Sequence, residues 1–246
     1  MGFISRINRS AESNRSRIVL ALDTESGKVS SMIDLLSEHI CAVKLNMHLL
    51  IPLGMDDLMN INRHVHAKGL QSIADIKLND IPSTNVHAIE HLNRADFDAI
   101  TINPFIGYDA LLTSIEYLHE RGMGAIALVY MSHPSAEDTY GMSINYKGLD
   151  KMYRLFMRWA YECKADGIIV GSTRPSIIRE CYDYITRMDT DVPVIFSPGI
   201  DAQGGDIRSS IESGSRYIIA GRSIIDSQDP LAKVLSMKDT INRLMK

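Results

Sequence analysis

The chain lacks the basic excess that binding along a nucleic-acid backbone calls for. Its 26 Lys and Arg stand against 30 Asp and Glu, a net charge of −4, so no nucleic acid is expected and a small ligand is. Cysteine is scarce: Cys41, Cys163 and Cys181 are an odd number without C-x-x-C spacing, which gives no disulfide framework and fits a reducing, cytoplasmic compartment. No apolar run approaches the roughly 18 residues of a membrane span, so no membrane partner is expected. The N-terminus lacks the apolar core of a secretory signal, carrying Arg6, Arg9, Arg15 and Arg17 among serines and asparagines. Gly2 is not a myristoylation site, because Arg6 stands where that motif wants Ser or Thr. Residues 1–16 therefore read as a flexible basic arm, mobile or docked on the surface, and 17–246 as one domain. Pro/Ser-rich linkers and low-complexity tracts are missing too.

What is present is 246 residues, 45% of them hydrophobic and 23% charged, enough for a large core. From Arg17 onward, short apolar runs alternate with longer amphipathic ones, the pattern of a parallel sheet wrapped by helices. Strands are expected near 17–23, 40–46, 71–77, 98–103, 124–131, 167–171, 193–197 and 216–221. Helices are expected near 27–38, 55–68, 84–94, 108–121, 147–164, 174–187, 204–213 and 229–244, with Pro175 and Pro230 placed as first-turn prolines. Eight β/α units in one domain point to a closed (β/α)8 TIM barrel rather than an open doubly wound sheet.

Barrel sites are built where strands finish, and these strands finish in polar residues: Asp23, Lys44 with Asn46, Asp75 with Lys77, Asn103, Ser132, Ser172 with Thr173, Ser197 and Arg222. The stretch from Ala74 to Thr84 is the densest. Period-two alternation turns Asp75 and Lys77 to the same wall, and Asp80 follows where Asn79 and Pro82 break the strand, so it can turn back over the same mouth. An ammonium held among carboxylates suits a proton donor. A buried structural ion pair would explain these residues alone, but not the polar rim as a whole.

After the seventh strand, Pro198, Gly199, Gln203, Gly204 and Gly205 lead into a helix N-terminus, and after the eighth Gly221-Arg222 supplies a guanidinium. Close backbone N–H groups beside an arginine favour a phosphate.

The run D-x-K-x-x-D-I-P-x-T from Asp75 to Thr84, with Leu22-Asp23, Val43-Lys44, Met131-Ser132-His133-Pro134, Pro198-Gly199 through Gln203-Gly204-Gly205-Asp206, and Gly221-Arg222-Ser223, resembles orotidine 5′-phosphate decarboxylases, especially their compact archaeal-type members. The resemblance covers nearly all of the chain after the arm. It implies decarboxylation of orotidine 5′-phosphate to UMP, the last step of pyrimidine nucleotide synthesis, with neither cofactor nor metal. It implies a charge array of Asp23, Lys44, Asp75, Lys77 and Asp80, with Lys77 protonating carbon 6. Asp23 and Lys44 would hold the ribose, Ser132 would read the pyrimidine edge, and Gln203 and Arg222 would hold the phosphate beside Pro198, Gly199, Gly204, Gly205 and Gly221. It further implies that Ile81 joins the substrate-binding set, and a homodimer with shared sites in which Asp80 and Thr84 complete the neighbour's pocket. Segments 132–146 and 198–207 are candidate lids. Asp201, Asn103-Pro104 and Asn46 depart from the compact archaeal pattern, and an inward Asp201 would weaken binding of a dianion.

Other readings are weaker. Magnesium-dependent 3-keto-gulonate-phosphate decarboxylases and hexulose-phosphate synthases share a D-x-K-x-x-D core, but need a carboxylate set for the metal where this chain offers Lys44, the I-P-x-T continuation and Ser132. His87-x-x-Glu90-His91 matches an inverted zinc-peptidase pattern, yet sits on a helix away from the rim without an evident third ligand. A catalytically dead nucleotide binder would have no need of Asp75, Lys77 and Asp80. His133 reads as loop structure, and Trp159 with Tyr153, Phe156 and Tyr161 as packing.

Overall fold

The computed structural model describes residues 2–188, 193–200 and 203–245. Asp201 lies outside the described residues. Eight parallel strands close into a barrel in sequence order: β1 (Ile18–Ala21), β2 (Ala42–Asn46), β3 (Gln71–Leu78), β4 (Ala99–Ile102), β5 (Gly124–Tyr130), β6 (Gly167–Val170), β7 (Val194–Pro198) and β8 (Tyr217–Ala220), with β8 beside β1. Their runs of Ile, Val and Ala are buried on both faces, one against the barrel interior and one against the helices. Helices begin where the sequence supplies first-turn prolines, at Pro82, Pro175 and Pro230. Aspartate caps add to this: Asp206 accepts from the Ser209 N–H at 2.8 Å at the start of Ile207–Glu212, and Asp229, just ahead of Pro230, accepts from the Ala232 N–H at 3.0 Å. These elements fix which side chains reach each strand's C-terminal end.

Two segments differ from the sequence-based expectation. Within the expected arm, Phe3–Ser13 is an amphipathic helix whose i, i+4, i+8 residues Phe3, Ile7 and Ala11 are buried. It lies across the N-terminal end of the barrel: Arg6 Nε donates to Gln71 Oε1 at 2.9 Å, Tyr217 Oη to Asn8 Oδ1 at 2.6 Å, and Ser10 Oγ to the Gly69 carbonyl at 2.7 Å. The Phe3 ring fills the space that a Cβ on Gly124 would occupy. Of the arginines and serines that suggest a loose arm, Ser5, Arg9 and Ser13 form this helix's exposed face, while Arg6 and Ser10 turn toward the barrel. The helix expected over 147–164 starts only at Met152. Ser143–Tyr146 and Leu149–Lys151 instead form an antiparallel hairpin about Lys147 and Gly148, both at positive φ, as a two-residue turn demands. Short helices Met47–Leu50 and Arg222–Ile225, absent from the sequence reading, follow β2 and β8.

Candidate active site

A cavity of about 280 Å³ opens at the C-terminal ends of the strands. Leu128, Ile169 and Ile219 give it an apolar floor, and its polar wall carries Asp23, Lys44, Asn46, Asp75, Lys77, Ser132, His133, Gln203 and Arg222.

The charged wall depends on an irregularity in β3. Its ladder to β4 pairs Ala74 with Ile100 and resumes only at Leu78 with Ile102, so Asp75, Ile76 and Lys77 stand opposite Thr101 alone. Lys77 has φ +48°, a left-handed conformation uncommon outside glycine. Both Asp75 and Lys77 face the cavity, but Lys77 does so through this bulge, where the period-two reading assumed a regular pleat.

Asp75 is the hub. Its Oδ2 takes the Lys44 ammonium at 2.5 Å, and its Oδ1 takes the Lys77 ammonium and the Thr101 hydroxyl, each at 2.8 Å. Burial alone would push the Asp75 carboxyl up; Lys44 and Lys77 outweigh it and hold the group far below the ordinary carboxylate range. Lys44 also donates to Asn46 Oδ1, and the Asn46 amide donates to Asp23 Oδ1, so charges of alternating sign run from strand to strand across β1, β2 and β3. Asp23 moves the other way: burial raises its carboxyl, and Lys44, His48 and Arg222 offset only part of the effect. One carboxylate is firmly ionised and its neighbour is held nearer protonation.

The opposite wall is built from close backbone approaches. Gly199 has φ +98°, and a Cβ there would come within 2.8 Å of Ser132 Cβ and 2.9 Å of Gln203 Oε1. Gly221 has no room for a Cβ beside Asp23 Oδ2. The Gly205 N–H donates to the Gly199 carbonyl at 3.1 Å, folding the loop back on itself.

Of the residues expected in the site, the cavity brings together Asp23, Lys44, Asp75, Lys77, Ser132, Pro198, Gly199, Gln203, Gly221 and Arg222. It does not bring in Asp80, Ile81 or Thr84, which are exposed at the start of Pro82–Arg94, where the Asp80 carboxylate accepts from the Ile81 N–H. Gly204 and Gly205 do not line the cavity: Gly204 is exposed, and Gly205 is buried against Ser172. The rim is also less uniformly functional than the strand ends suggest. Ser197 bonds Ser215 in the barrel layer, Asn103 caps Pro104–Ile106, and Thr173 bonds the Ser132 carbonyl. Conversely, Thr101 escaped notice as a lone polar residue in an apolar strand, and Ser223 lines the cavity beside Arg222.

The remaining sequence features resolve into structure. Glu90 of the H-x-x-E-H pattern accepts from Arg121 Nε at 2.9 Å and Tyr117 Oη at 3.1 Å, tying neighbouring helices together. Phe156 and Trp159 pack with Phe105, Tyr108 and Tyr140, so the segment 132–146 is pinned at its middle by the buried Tyr140. Among the described residues no group of three or more His, Cys, Asp and Glu could hold a metal ion, and no helix is long and apolar enough to cross a membrane.

Residues 16–237 match the family model described as the orotidine 5′-phosphate decarboxylase / HUMPS family. The chain is 32% identical over 225 residues to the orotidine 5′-phosphate decarboxylase of Pyrococcus abyssi, covering 91% of this chain and 98% of the relative. It is 34% identical over 214 residues to that of Pyrococcus furiosus, covering 87% and 92%. Among solved structures, the orotidine 5′-phosphate decarboxylase of Pyrococcus horikoshii superposes with a TM-score of 0.76 at 29% identity, covering 91% of this chain and 98% of that one.

Proposed function

Because the chain belongs to the orotidine 5′-phosphate decarboxylase / HUMPS family, we propose that its charged rim removes carbon dioxide from orotidine 5′-phosphate and leaves UMP. The observation that carries this reading is the Lys44–Asp75–Lys77 chain facing one cavity with Asp23 and Arg222. Arg222, Gln203 and the Gly199 loop hold the phosphate, Asp23 and Lys44 the ribose, and Ser132 the pyrimidine edge. The phosphate does not react, but its binding aligns the ring over Lys77. As the carbon–carboxylate bond breaks, its electron pair stays on carbon 6, beside the Lys77 ammonium, which stabilises the developing carbanion and then transfers its proton there. Asp75 holds that ammonium in place and sets a fixed negative charge near the leaving carboxylate; its repulsion is a secondary contribution.

No cofactor or metal enters this scheme. The Asp75 oxygens are engaged by Lys44, Lys77 and Thr101, so a hard cation needing several oxygens would have to displace two ammonium groups. The magnesium-dependent sugar-phosphate reading is not favoured, and the relatives matched above are named orotidine 5′-phosphate decarboxylases. The exposed Asp80, Ile81 and Thr84 support a homodimer in which each chain completes its neighbour's pocket, working in the cytoplasm. Carboxyl-labelled orotidine 5′-phosphate should release labelled carbon dioxide and UMP in equal amounts. Silence toward it, with Mg²⁺-dependent decarboxylation of a keto sugar phosphate, would overturn the assignment. Mixing Asp80→Ala with Lys77→Ala chains should restore activity in heterodimers, and proven mixing without recovery would refute shared sites.

A further inference from the structure

We propose that Thr101 is a positioning residue of this site, setting the Lys77 ammonium against Asp75 through its hydroxyl. The inference rests on the reading of Lys77 as proton donor. Thr101 is fully buried in β4, the one residue that faces the three-residue bulge of β3. Its Oγ1 accepts from the Lys77 backbone N–H at 2.8 Å and donates to Asp75 Oδ1 at 2.8 Å, the same oxygen that takes the Lys77 ammonium at 2.8 Å. A closed ring results: the hydroxyl grips Lys77 at its main chain directly and at its ammonium through Asp75. The geometry needs such a grip. At φ +48° the Lys77 N–H has left the β3–β4 ladder, and a buried N–H without a partner is costly. The hydroxyl replaces the missing ladder bond and orients the carboxylate in one stroke. A main chain held in an uncommon conformation by a single side chain is how a bulge re-aims a functional residue. In the proposed binding mode the polar ends of the substrate meet Arg222, Gln203 and Asp23, which line the cavity apart from Thr101, so Thr101 bears on the reacting carbon and not on nucleotide affinity.

Thr101→Val keeps the shape and removes the hydroxyl. Its kcat should fall about 10- to 100-fold, the scale of a reacting group misplaced by about an ångström, while KM and the affinity for UMP stay within about threefold. Thr101→Ser should recover most of kcat. A Thr101→Val enzyme with wild-type kcat, or kcat and UMP affinity falling together in the Val and Ser variants alike, would overturn the proposal. If Thr101→Val does not fold, Thr101→Ala against Thr101→Ser makes the same comparison, since both lack the methyl group and only Ser keeps Oγ. Equal kcat in that pair would overturn it too. Lys77→Ala, assayed alongside, separates the two claims: full activity there would reject Lys77 as donor, whatever Thr101 does.

Discussion

Lys44→Met is the sharpest test of the charge array as a physical object. Lys44 is 5% exposed and Asp75 6%, and they meet at 2.5 Å. Methionine fills much the same space without charge, leaving Asp75 buried with only Lys77 and Thr101 and removing the largest influence that opposes desolvation of both Asp75 and Asp23. Breaking a buried ion pair by deleting one partner costs about 3–5 kcal/mol, because the other charge stays behind uncompensated. For a chain of this size each kcal/mol moves the melting point by about 2–4 °C, so a drop of about 6–20 °C is expected. The double variant Lys44→Met/Asp75→Asn should regain most of it, since neither charge is then stranded and the Lys77 side chain, 41% exposed, can turn to water. Thermal and urea melts followed by far-UV circular dichroism read this directly. An unchanged melting point in Lys44→Met, or a double variant no more stable than the worse single one, would refute the reasoning.

Other expectations follow from particular contacts. Phe3→Ala should cost about 3–5 kcal/mol in urea melts, as for other buried phenylalanines, while leaving kcat of the folded enzyme unchanged; a cost under about 1 kcal/mol would mean that the N-terminal helix is not part of the folded core. Gly221→Ala drives a methyl group into Asp23 Oδ2 and should raise KM on the order of tenfold or more; an unchanged KM would remove Asp23 from ribose binding. His66 is raised by its hydrogen bond to Asp98 and His119 by its bond to Asp166, with burial opposing in each case. A folded-state value above the unfolded one gives stabilisation that is full below about pH 6.5 and fades as pH rises through the folded value. His66→Gln/His119→Gln should therefore melt below the wild type at about pH 5.5, with the gap closing by about pH 8.5, and a gap that widens with pH would contradict the assignment.

The barrel was legible because each strand is buried on both faces and each helix on one, so the hydrophobic period changes at every boundary from Arg17 onward. The charged strand ends were legible for the complementary reason: Asp23, Lys44, Asp75 and Lys77 interrupt apolar runs at one rim. What escaped depends on partners distant in sequence. The stripe Phe3, Ile7, Ala11 is too sparse among polar residues to stand out until the barrel's open end is there to receive it. Thr101 reads as an ordinary β-branched strand residue; only the bulge in β3, a property of the pairing between two strands, gives its hydroxyl work. The hairpin over 143–151 carries the apolar residues of a helix start, and the Lys147-Gly148 turn decided against it. Ser197 and Asn103 show the reverse error, strand-end polarity spent on the scaffold.

The central claim is that Lys77 delivers the proton that replaces carbon dioxide without help from a metal. Loss of orotidine 5′-phosphate absorbance, followed with purified enzyme in excess EDTA and with Lys77→Ala beside it, tests this most directly. The account predicts rapid turnover in EDTA that disappears in the variant while UMP still binds. Turnover that needs added Mg²⁺, or a Lys77→Ala enzyme that keeps its rate, would contradict it.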